Sequence, residues 1–326
     1  MATMLPTAFT TLVGCARPLQ LAAMPRINTP ELISAVVGAG GLGMIGLPML
    51  PPPLAATVLD ELAGCCRGPF GVNFLMPFLD VEVVDVAAPR ARVLEFFYGE
   101  PDAELVRRAA AGGAVVGWQV GSRAEAEAAV AAGCRYVVAQ GLEAGGHVRG
   151  TTPLRDLLVE VKAAVSVPIV AAGGIGCARD VADAFDRGAA AVRVGTRFVA
   201  TAESDAHPLY VRALLEAEAD DTVLTEKFSA MWPNAPHRVL QSAVDAADAD
   251  TNESVGETDM GPGMRITLPR FAVVAPTRDT TGNVAAMALY AGRSVASVRE
   301  IAKAADVVRE LCDGAERLLQ EERLGD

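Results

Sequence analysis

The chain has 326 residues, 51% of them hydrophobic, and it carries a net charge of −12 at pH 7 with an isoelectric point near 4.8. A chain of this length can bury a large core, either as one α/β domain or as two domains. Its acidic balance argues against a nucleic-acid or anionic-membrane surface, so we expect a small molecule as its partner.

The six cysteines show neither a CxxC pair nor a Cys/His spacing typical of zinc. We therefore expect no metal site, and scattered cysteines of this kind are typical of a reduced, cytoplasmic protein. Residues 32–59 carry no charge, but five glycines and four prolines interrupt them. That pattern favours helix, turn and strand over a membrane span.

Short apolar runs of strand length recur along the first 200 residues, separated by alanine-rich amphipathic stretches. We predict eight strands, at residues 19–24, 41–46, 70–75, 93–99, 114–120, 136–141, 168–174 and 190–198. Helices are predicted between them, in segments such as TPELISAVVGAG, SRAEAEAAVAAG and ARDVADAFDRG. Several of these begin at Ser or Thr and end at Gly, as helix caps require.

Strands that are apolar on both faces and alternate with helices form parallel sheets. Eight of them within about 200 residues predict an α/β fold of the (β/α)8 TIM barrel type. The doubly wound alternative needs a glycine-rich turn after the first strand, and LAAMPRINTP offers none.

The regular alternation ends after residue 200. HPLYVRALLEAEADD is predicted to be helical, residues 220–285 to be irregular, and the stretch from GNVAAMALYAG onward to form one or two long helices. The acidic stretch DAADADTNESVGETD lacks the spacing of a cation site and is interpreted as a solvated loop. We therefore expect a barrel over 1–217, a smaller cap region over 218–285 above the strand ends, and closing C-terminal helices over 286–326.

The ends of the predicted strands carry glycines where a TIM barrel places its active site. Gly173 and Gly174 follow the seventh strand, and Gly195 and Thr196 follow the eighth. Their free backbone N–H groups, with the N-terminus of a helix that begins near Cys177, can bind a phosphate dianion without a lysine.

Amide side chains lie in one other predicted strand and at the ends of two more. Asn73, Gln119 and Gln140 can pair with the edge of a ring that carries both carbonyl and N–H groups. A phosphate together with such a ring edge suggests flavin mononucleotide (FMN).

Three segments, QGLEAGGHVRG, PIVAAGGIG and AVRVGTRFVATAES, together resemble the nitronate monooxygenase (2-nitropropane dioxygenase-like) family of FMN-dependent barrels. ELISAVVGAGGLGMIG and AMALYAGRSV extend the resemblance over most of the chain. It implies non-covalent FMN, with the phosphate on the two glycine loops, and a catalytic His147. It also implies a flavin site formed by Ala22, Ala23, Met24, Asn73, Gln119, Gln140, Gly145, Gly146, Gly173, Gly174, Gly176, Gly195 and Thr196.

The chain departs from this family in two places. Some members carry lysine where Gln119 stands, and many carry a GRPAR-like segment where this chain has SAMWPNAPHR. The flavin pocket is therefore better supported by the resemblance than the substrate pocket.

His147 is one of only three histidines in the chain, and it follows a Gly-Gly pair at a strand end. A histidine in an arbitrary loop more often only satisfies backbone groups, but one that faces a flavin suits proton transfer or stabilisation of an anion. We interpret His147 as functional, and Gly145 and Gly146 as glycines that let the loop pass close to the flavin.

Other polar residues near this segment receive smaller roles. His207 is interpreted as a cap or packing residue, and His237 is given no role. Glu143 is expected to orient the loop by accepting backbone N–H bonds. Arg149 either adds positive potential to the site or is a solvated surface residue.

The resulting expectation is an FMN-dependent monooxygenase that oxidises alkyl nitronates, with nitroalkanes as further candidates, using O2 to give a carbonyl compound and nitrite. An NAD(P)H-dependent FMN reductase of the enoyl-thioester or quinone type is the alternative enzyme. A flavin-binding protein without turnover is the alternative from another class. A homo-oligomer is compatible with the sequence.

Overall fold

The computed structural model describes residues 6–47, 49–261 and 264–325. In its first two thirds the strands are β1 (Leu19–Leu21), β2 (Gly43–Gly46), β3 (Phe70–Leu75), β4 (Val93–Phe97), β5 (Val115–Val120), β6 (Tyr136–Gln140), β7 (Gly146–His147), β8 (Ile169–Ala172) and β9 (Ala191–Val194). All of these except β7 form one parallel sheet in the order β1-β9-β8-β6-β5-β4-β3-β2. A parallel bridge between Gln20 and Leu42 joins its two outer strands. The predicted TIM barrel is confirmed, and each of the eight predicted strands contains one of these barrel strands.

Helices alternate with the barrel strands. They are α1 (Ala8–Val13), α2 (Pro30–Gly38), α3 (Pro52–Cys65), α4 (Val81–Ala87), α5 (Ala103–Ala111), α6 (Arg123–Ala131), α7 (Leu154–Ala164) and α8 (Ala178–Asp186), with a 3-10 helix at Met76–Phe78. The predicted caps form: the side chain of Thr29 accepts a hydrogen bond from the Leu32 N–H, and that of Ser122 from the Glu125 N–H. Gly188 follows α8 with φ +92°, the left-handed backbone that glycine favours.

The amino-terminal end of the barrel is covered by α1. Phe9 of this helix packs edge-on against Tyr136 inside the barrel, with ring centroids 5.4 Å apart. Arg92, just before β4, donates hydrogen bonds to the carbonyls of Leu12 and Val13 at the end of α1. Helix α1 therefore closes the amino-terminal end of the barrel. A site open to ligands lies at the other end, where the strands have their carboxyl ends.

The rest of the chain adds two small antiparallel sheets and further helices. The strands are β10 (Thr222–Thr225), β11 (His237–Leu240), β12 (Ser254–Asp259), β13 (Arg265–Pro269) and β14 (Thr281–Gly282). The helices are α9 (Thr196–Val199), α10 (Pro208–Glu216), α11 (Gln241–Ala249) and α12 (Ala304–Gly325), with 3-10 helices at Ala219–Asp221, Val284–Ala286 and Arg293–Ser297. One sheet has the order β10-β11-β7 and the other β13-β12-β14, so β11 ties this part of the chain to β7 beside the barrel mouth.

The expectation of an irregular segment over 220–285 is wrong. Its acidic stretch forms α11 and β12 rather than a solvated loop. Ala243, Val244 and Ala247 make a buried apolar stripe on α11, while the acidic side chains of Asp245 and Asp248 lie on its exposed face. The density of charge in the sequence hid this helical periodicity.

The expectation of a helix over GNVAAMALYAG is also wrong. This segment contains the end of β14 and a short 3-10 helix, and in the described residues that follow it the long helix is α12. Four consecutive residues, 286–289, are all buried, whereas a surface helix would turn some of them to solvent. The predicted closing C-terminal helix is confirmed as α12. Among the described residues, none of the helices combines the length and apolar character that crossing a membrane requires.

Candidate active site

A cavity of about 370 Å³ lies at the carboxyl ends of the barrel strands, within the size range of small-molecule sites. Nearly all of the residues predicted for the site line it: Ala22, Ala23, Met24, Asn73, Gln119, Gln140, Gly145, Gly146, His147, Gly173, Gly174, Gly195 and Thr196. Side chains from the later segment complete the wall, among them Met231, Trp232, Met260, Tyr290 and Ser294. Chain-distant segments therefore meet in one concave site.

The two glycine loops have the geometry of an anion cradle. Gly173 and Gly174 have φ values of +109° and +71°, which a residue with a Cβ rarely adopts. The hydroxyl oxygen of Thr196 accepts a hydrogen bond from the Gly292 N–H at 3.1 Å, which leaves its own O–H available to donate. Backbone N–H groups and one hydroxyl donor are suitable ligands for a phosphate.

Gly176 does not line this cavity. Its N–H and that of Cys177 donate to the same carboxylate oxygen of Asp180, at 2.8 and 2.9 Å. The N-terminus of α8, expected from the sequence to face the phosphate, is thus capped by a carboxylate of its own first turn. A Cβ at Gly176 would lie 2.8 Å from the Cβ of Ser297, so glycine here permits close packing.

The Gly145–Gly146 pair is required by the protein's own backbone. A Cβ on Gly145 would lie 2.4 Å from the backbone nitrogen of Gly292. Gly146 has φ +77° and leads directly into His147. The pair therefore lets the loop pass close to residues 291–292 and then turn the histidine toward the cavity.

His147 lies on β7 rather than in a loop, because β7 pairs with β11. The side-chain amide of Gln140 donates a hydrogen bond to the His147 carbonyl at 3.0 Å, and the Val148 N–H donates to Pro236 O at 2.8 Å. The backbone of the histidine is thus held from both sides. Its imidazole Nε2 is buried and has no hydrogen-bond partner among the described residues.

Aromatic side chains enclose the His147 ring. Trp232 stacks on it with ring centroids 3.9 Å apart and planes inclined by 20°. Trp232 is held in turn by edge contacts with Tyr98 and Phe78, at 4.8 and 5.0 Å. Burial, with a smaller effect from nearby His237, lowers the pKa of His147 to about 3. The imidazole is therefore neutral at neutral pH.

His237, to which no role is assigned from the sequence, supports this arrangement. It is fully buried and lies opposite His147 in the register of β7 and β11. Its Nε2 accepts a hydrogen bond from the Phe228 N–H at 3.2 Å, and its Nδ1 lies 2.8 Å from Ala235 O. These two contacts require a proton on Nδ1 and none on Nε2, so they fix a neutral tautomer. Burial also lowers the pKa of His237.

The remaining polar residues have structural partners. Glu143 accepts a hydrogen bond from the Leu154 N–H at 3.0 Å, as expected for a residue that orients the loop. His207 caps α10 by accepting from the Leu209 N–H at 3.1 Å. Arg149 pairs with Glu125 at 2.5 Å and with Glu100, so its charge is compensated outside the cavity lining.

Sequence reasoning missed a buried polar cluster at the barrel interior. Arg193 lines the cavity and forms an ion pair with Glu95, which is fully buried. Gln20 and Tyr136 also contact Glu95. The available signal was the presence of single charged residues inside otherwise apolar strands, in VLEFF and AVRV.

The residues present fit FMN. Gln140 lines the cavity and its amide oxygen is buried without a partner among the described residues, so it can accept from an N–H or O–H group of the cofactor. The left-handed glycines leave room for a phosphate that a Cβ would take. Both halves of the molecule, phosphate and ring edge, therefore have suitable partners in one cavity.

A TIM barrel with a glycine-lined cavity and a buried histidine at the carboxyl ends of its strands has the organisation of a small-molecule enzyme. A family model described as nitronate monooxygenase matches residues 79–314. The chain belongs to this family, and it is therefore an oxidoreductase from a family of flavoproteins.

Two curated proteins illustrate the range of its relatives. The chain is 32% identical over 241 residues to (3aS,4S,5R,7aS)-5-hydroxy-7a-methyl-1-oxo-octahydro-1H-indene-4-carboxyl-CoA dehydrogenase of Mycobacterium tuberculosis, covering 73% of this chain and 67% of that protein. It is 32% identical over 269 residues to nitronate monooxygenase of Pseudomonas aeruginosa, covering 68% of this chain and 77% of that protein. Among solved structures, FabK from Thermotoga maritima superposes with a TM-score of 0.79 at 28% identity, covering 98% and 99% of the two chains.

Proposed function

We propose that this protein is an FMN-dependent nitronate monooxygenase, which uses O2 to convert alkyl nitronates to a carbonyl compound and nitrite. The observation that carries the proposal is His147, a neutral imidazole with an unpartnered Nε2 in the same cavity as the two glycine loops. The family and the similarity to the Pseudomonas enzyme support it.

The cofactor would be held by groups that the structure places around the cavity. Gly173, Gly174, Gly195 and the hydroxyl of Thr196 would bind the phosphate. Asn73, Gln119 and Gln140 would bind the ring edge, and residues 22–24 and 145–146 would line the rest of the flavin. When bound, FMN supplies the redox chemistry, accepting electrons from the substrate and passing them to oxygen.

His147 would compensate the negative charge of a bound nitronate by taking up a proton. Because its pKa is about 3, the resting imidazole is a weak base toward a neutral nitroalkane. An anionic nitronate beside Nε2 favours the imidazolium and raises the pKa of the ring, so the histidine can take up a proton as the substrate binds. We therefore expect pre-formed nitronates to be better substrates than nitroalkanes.

The apolar part of the cavity favours a substrate with an alkyl group. Leu50, Phe78 and Met260 line it, and Met49 and Met231 line it with 55% and 48% of their surface exposed. A methionine exposed at a cavity offers a flexible apolar surface that adapts to the shape of a ligand, and exposed apolar surface of this kind commonly marks a binding site. Trp232 lies beside His147, so the alkyl group would lie near the reacting centre.

The alternative enzyme is an NAD(P)H-dependent FMN reductase that acts on an enoyl thioester. It is favoured by the similarity of this chain to a protein named as a carboxyl-CoA dehydrogenase and to FabK. The free state of all six cysteines supports a cytoplasmic location for either enzyme.

Three measurements on the purified protein test the proposal. Its absorbance spectrum should show about one FMN per chain. With O2, a nitronate should be consumed and nitrite released, while anaerobic NADH and NADPH should leave the flavin oxidised. Rapid bleaching by either nucleotide, with no nitrite formed, would replace the oxygenase by the reductase. Full FMN occupancy with no activity toward nitronates, enoyl thioesters or quinones would favour the flavin-binding protein instead.

A further inference from the structure

A buried polar cluster borders the cavity, and the proposed reaction gives it no role. It consists of Gln20, Glu95, Tyr136 and Arg193, and we call it the Arg193–Glu95 cluster. Arg193 on β9 and Glu95 on β4 are not neighbours in the sheet, so they pair across the barrel interior, with 7% and 0% of their side chains exposed. Glu95 also accepts hydrogen bonds from Gln20 Nε2 and Tyr136 Oη, each at 2.6 Å.

Stability alone does not account for this cluster. The free-energy cost of removing two charges from water commonly exceeds the energy of their mutual attraction. Well-packed apolar residues of similar volume often stabilise a protein interior as well as a buried ion pair does, or better. The sequence nevertheless makes room for it. A Cβ on Gly117 of β5 would lie 2.2 Å from Cζ of Tyr136, so glycine there lets the phenol reach Glu95.

The guanidinium of Arg193 is held in one orientation. Gln20 pairs with Arg193 in the β1–β9 register, and its side-chain oxygen accepts from Nε at 3.1 Å and from Nη2 at 3.0 Å. The ion pair with Glu95 engages Nη2 as well, which leaves Nη1 to reach Gln119. The cluster is therefore rigid, and two of its members hold amides that line the cavity.

The charges of the cluster determine how those amides are oriented. Arg193 Nη1 donates to Gln119 Oε1 at 2.5 Å, and Asn73 Nδ2 donates to Glu95 Oε1 at 3.4 Å. An arginine can only donate and a carboxylate can only accept, so neither amide can be turned over without losing its bond. Gln119 is left with N–H donors for a ligand, and Asn73 is left with a carbonyl acceptor.

We propose that the Arg193–Glu95 cluster is a positioning device that makes Gln119 a donor and Asn73 an acceptor toward the flavin ring. This inference rests on the FMN assignment of the proposed function. The pyrimidine ring of a flavin carries carbonyl oxygens, which need a donor, and an N–H group, which needs an acceptor. Gln119 and Asn73 lie in the same cavity with both polarities fixed before any ligand arrives.

The test compares two flavins on the full chain after removal of bound flavin. Riboflavin has the ring of FMN and lacks its phosphate, so a defect in ring binding affects both equally. The double substitution Glu95→Gln with Arg193→Gln removes both charges together and leaves no lone buried charge. Both dissociation constants should rise by the same factor, about 10- to 100-fold, as expected for one or two lost hydrogen bonds. The midpoint potential of bound FMN should fall, since a fixed donor at a ring carbonyl stabilises the reduced, electron-rich ring.

Trp118→Phe is the control, because it removes one buried side-chain hydrogen bond, to Gly99 O, at a residue that lies outside the cluster and does not line the cavity. It should leave both dissociation constants and the potential nearly unchanged. A folded double variant with wild-type constants for both flavins and a wild-type potential would overturn the proposal and return the cluster to a structural role.

A second variant keeps the proposal testable if the double variant does not fold. Arg193→Lys retains the buried positive charge but loses the planar fork that reaches Gln20, Glu95 and Gln119 together. It should raise the dissociation constants of FMN and riboflavin by equal factors, at least severalfold. Wild-type dissociation constants for both flavins would again overturn the inference. Failure of the wild-type chain to bind either flavin would instead refute the proposed function, and this inference with it.

Discussion

The substitution Trp232→Ala tests why the imidazole of His147 is neutral. Trp232 stacks on His147 at 3.9 Å, and burial is the main cause that holds the pKa of His147 at about 3 rather than 6.5. That pKa difference corresponds to a free-energy cost of about 5 kcal/mol for the protonated imidazole in the folded protein. Removing the indole opens one face of the imidazole to water, so we expect the pKa of His147 to rise by about 1 to 2. It should not reach 6.5, because His237 stays in place as the second cause.

Proton NMR can follow this change, since three histidines give three Cε1–H resonances. His147→Asn identifies the resonance of His147. In the wild type this resonance should not shift between pH 5 and 8, and in Trp232→Ala it should begin to titrate at the acid end of that range. Trp118→Phe is the control, because Trp118 is fully buried against Phe96 in the barrel core and should not affect the pKa of His147. A wild-type His147 that titrates near pH 6.5, or one that is insensitive to Trp232, would refute the burial argument.

Four further outcomes are expected. His147→Asn should keep FMN and fold while nitronate turnover falls about a hundredfold or more, and equal turnover at full flavin occupancy would remove His147 from the chemistry. As the pH falls from 6.5 to 3, the same variant should lose less unfolding free energy than the wild type, as measured by urea titrations. In the wild type the lowered pKa of His147 means that the unfolded state binds a proton at a higher pH than the folded state, which destabilises the folded protein in acid. Gly174→Asp or Gly195→Asp should abolish FMN binding with the circular dichroism spectrum retained; tight FMN in either variant would place the phosphate elsewhere. The kcat/KM for linear alkyl nitronates should rise about fourfold per added methylene until the apolar wall at Met231 is covered, and a flat series would contradict an alkyl subsite.

The barrel could be predicted from the sequence because its signals are local. Each strand is a short apolar run, and several helices carry a cap residue such as Ser122 or a terminal glycine such as Gly188. The order of strand and helix then leaves few topologies open. For the same reason the residues at the strand ends could be grouped without knowing any contact, since a parallel barrel brings those ends together.

The strands after residue 200 could not be predicted in this way, because they form through contacts with distant parts of the chain. β11 exists through its pairing with β7, and β14 through its pairing with β12. The surroundings of Gly176 cannot be inferred from the sequence for a related reason. The sequence shows a glycine before a helix, but not that Asp180 occupies the same N–H groups. Likewise, Glu95 and Arg193 lie 98 positions apart, and no local pattern links them.

These long-range contacts also explain where the chemistry of this chain can differ from that of its relatives. SAMWPNAPHR, the segment that is expected from the sequence resemblance to depart from the family pattern, contains both Trp232 and His237. Trp232 buries the His147 ring, and His237 lies opposite His147 in the paired strands. The barrel thus provides the histidine, while the divergent segment sets its surroundings and, through them, its pKa. A change in this segment can therefore alter the proton affinity of His147, and with it the proposed preference for nitronates over nitroalkanes, without any change to the residues proposed to hold FMN.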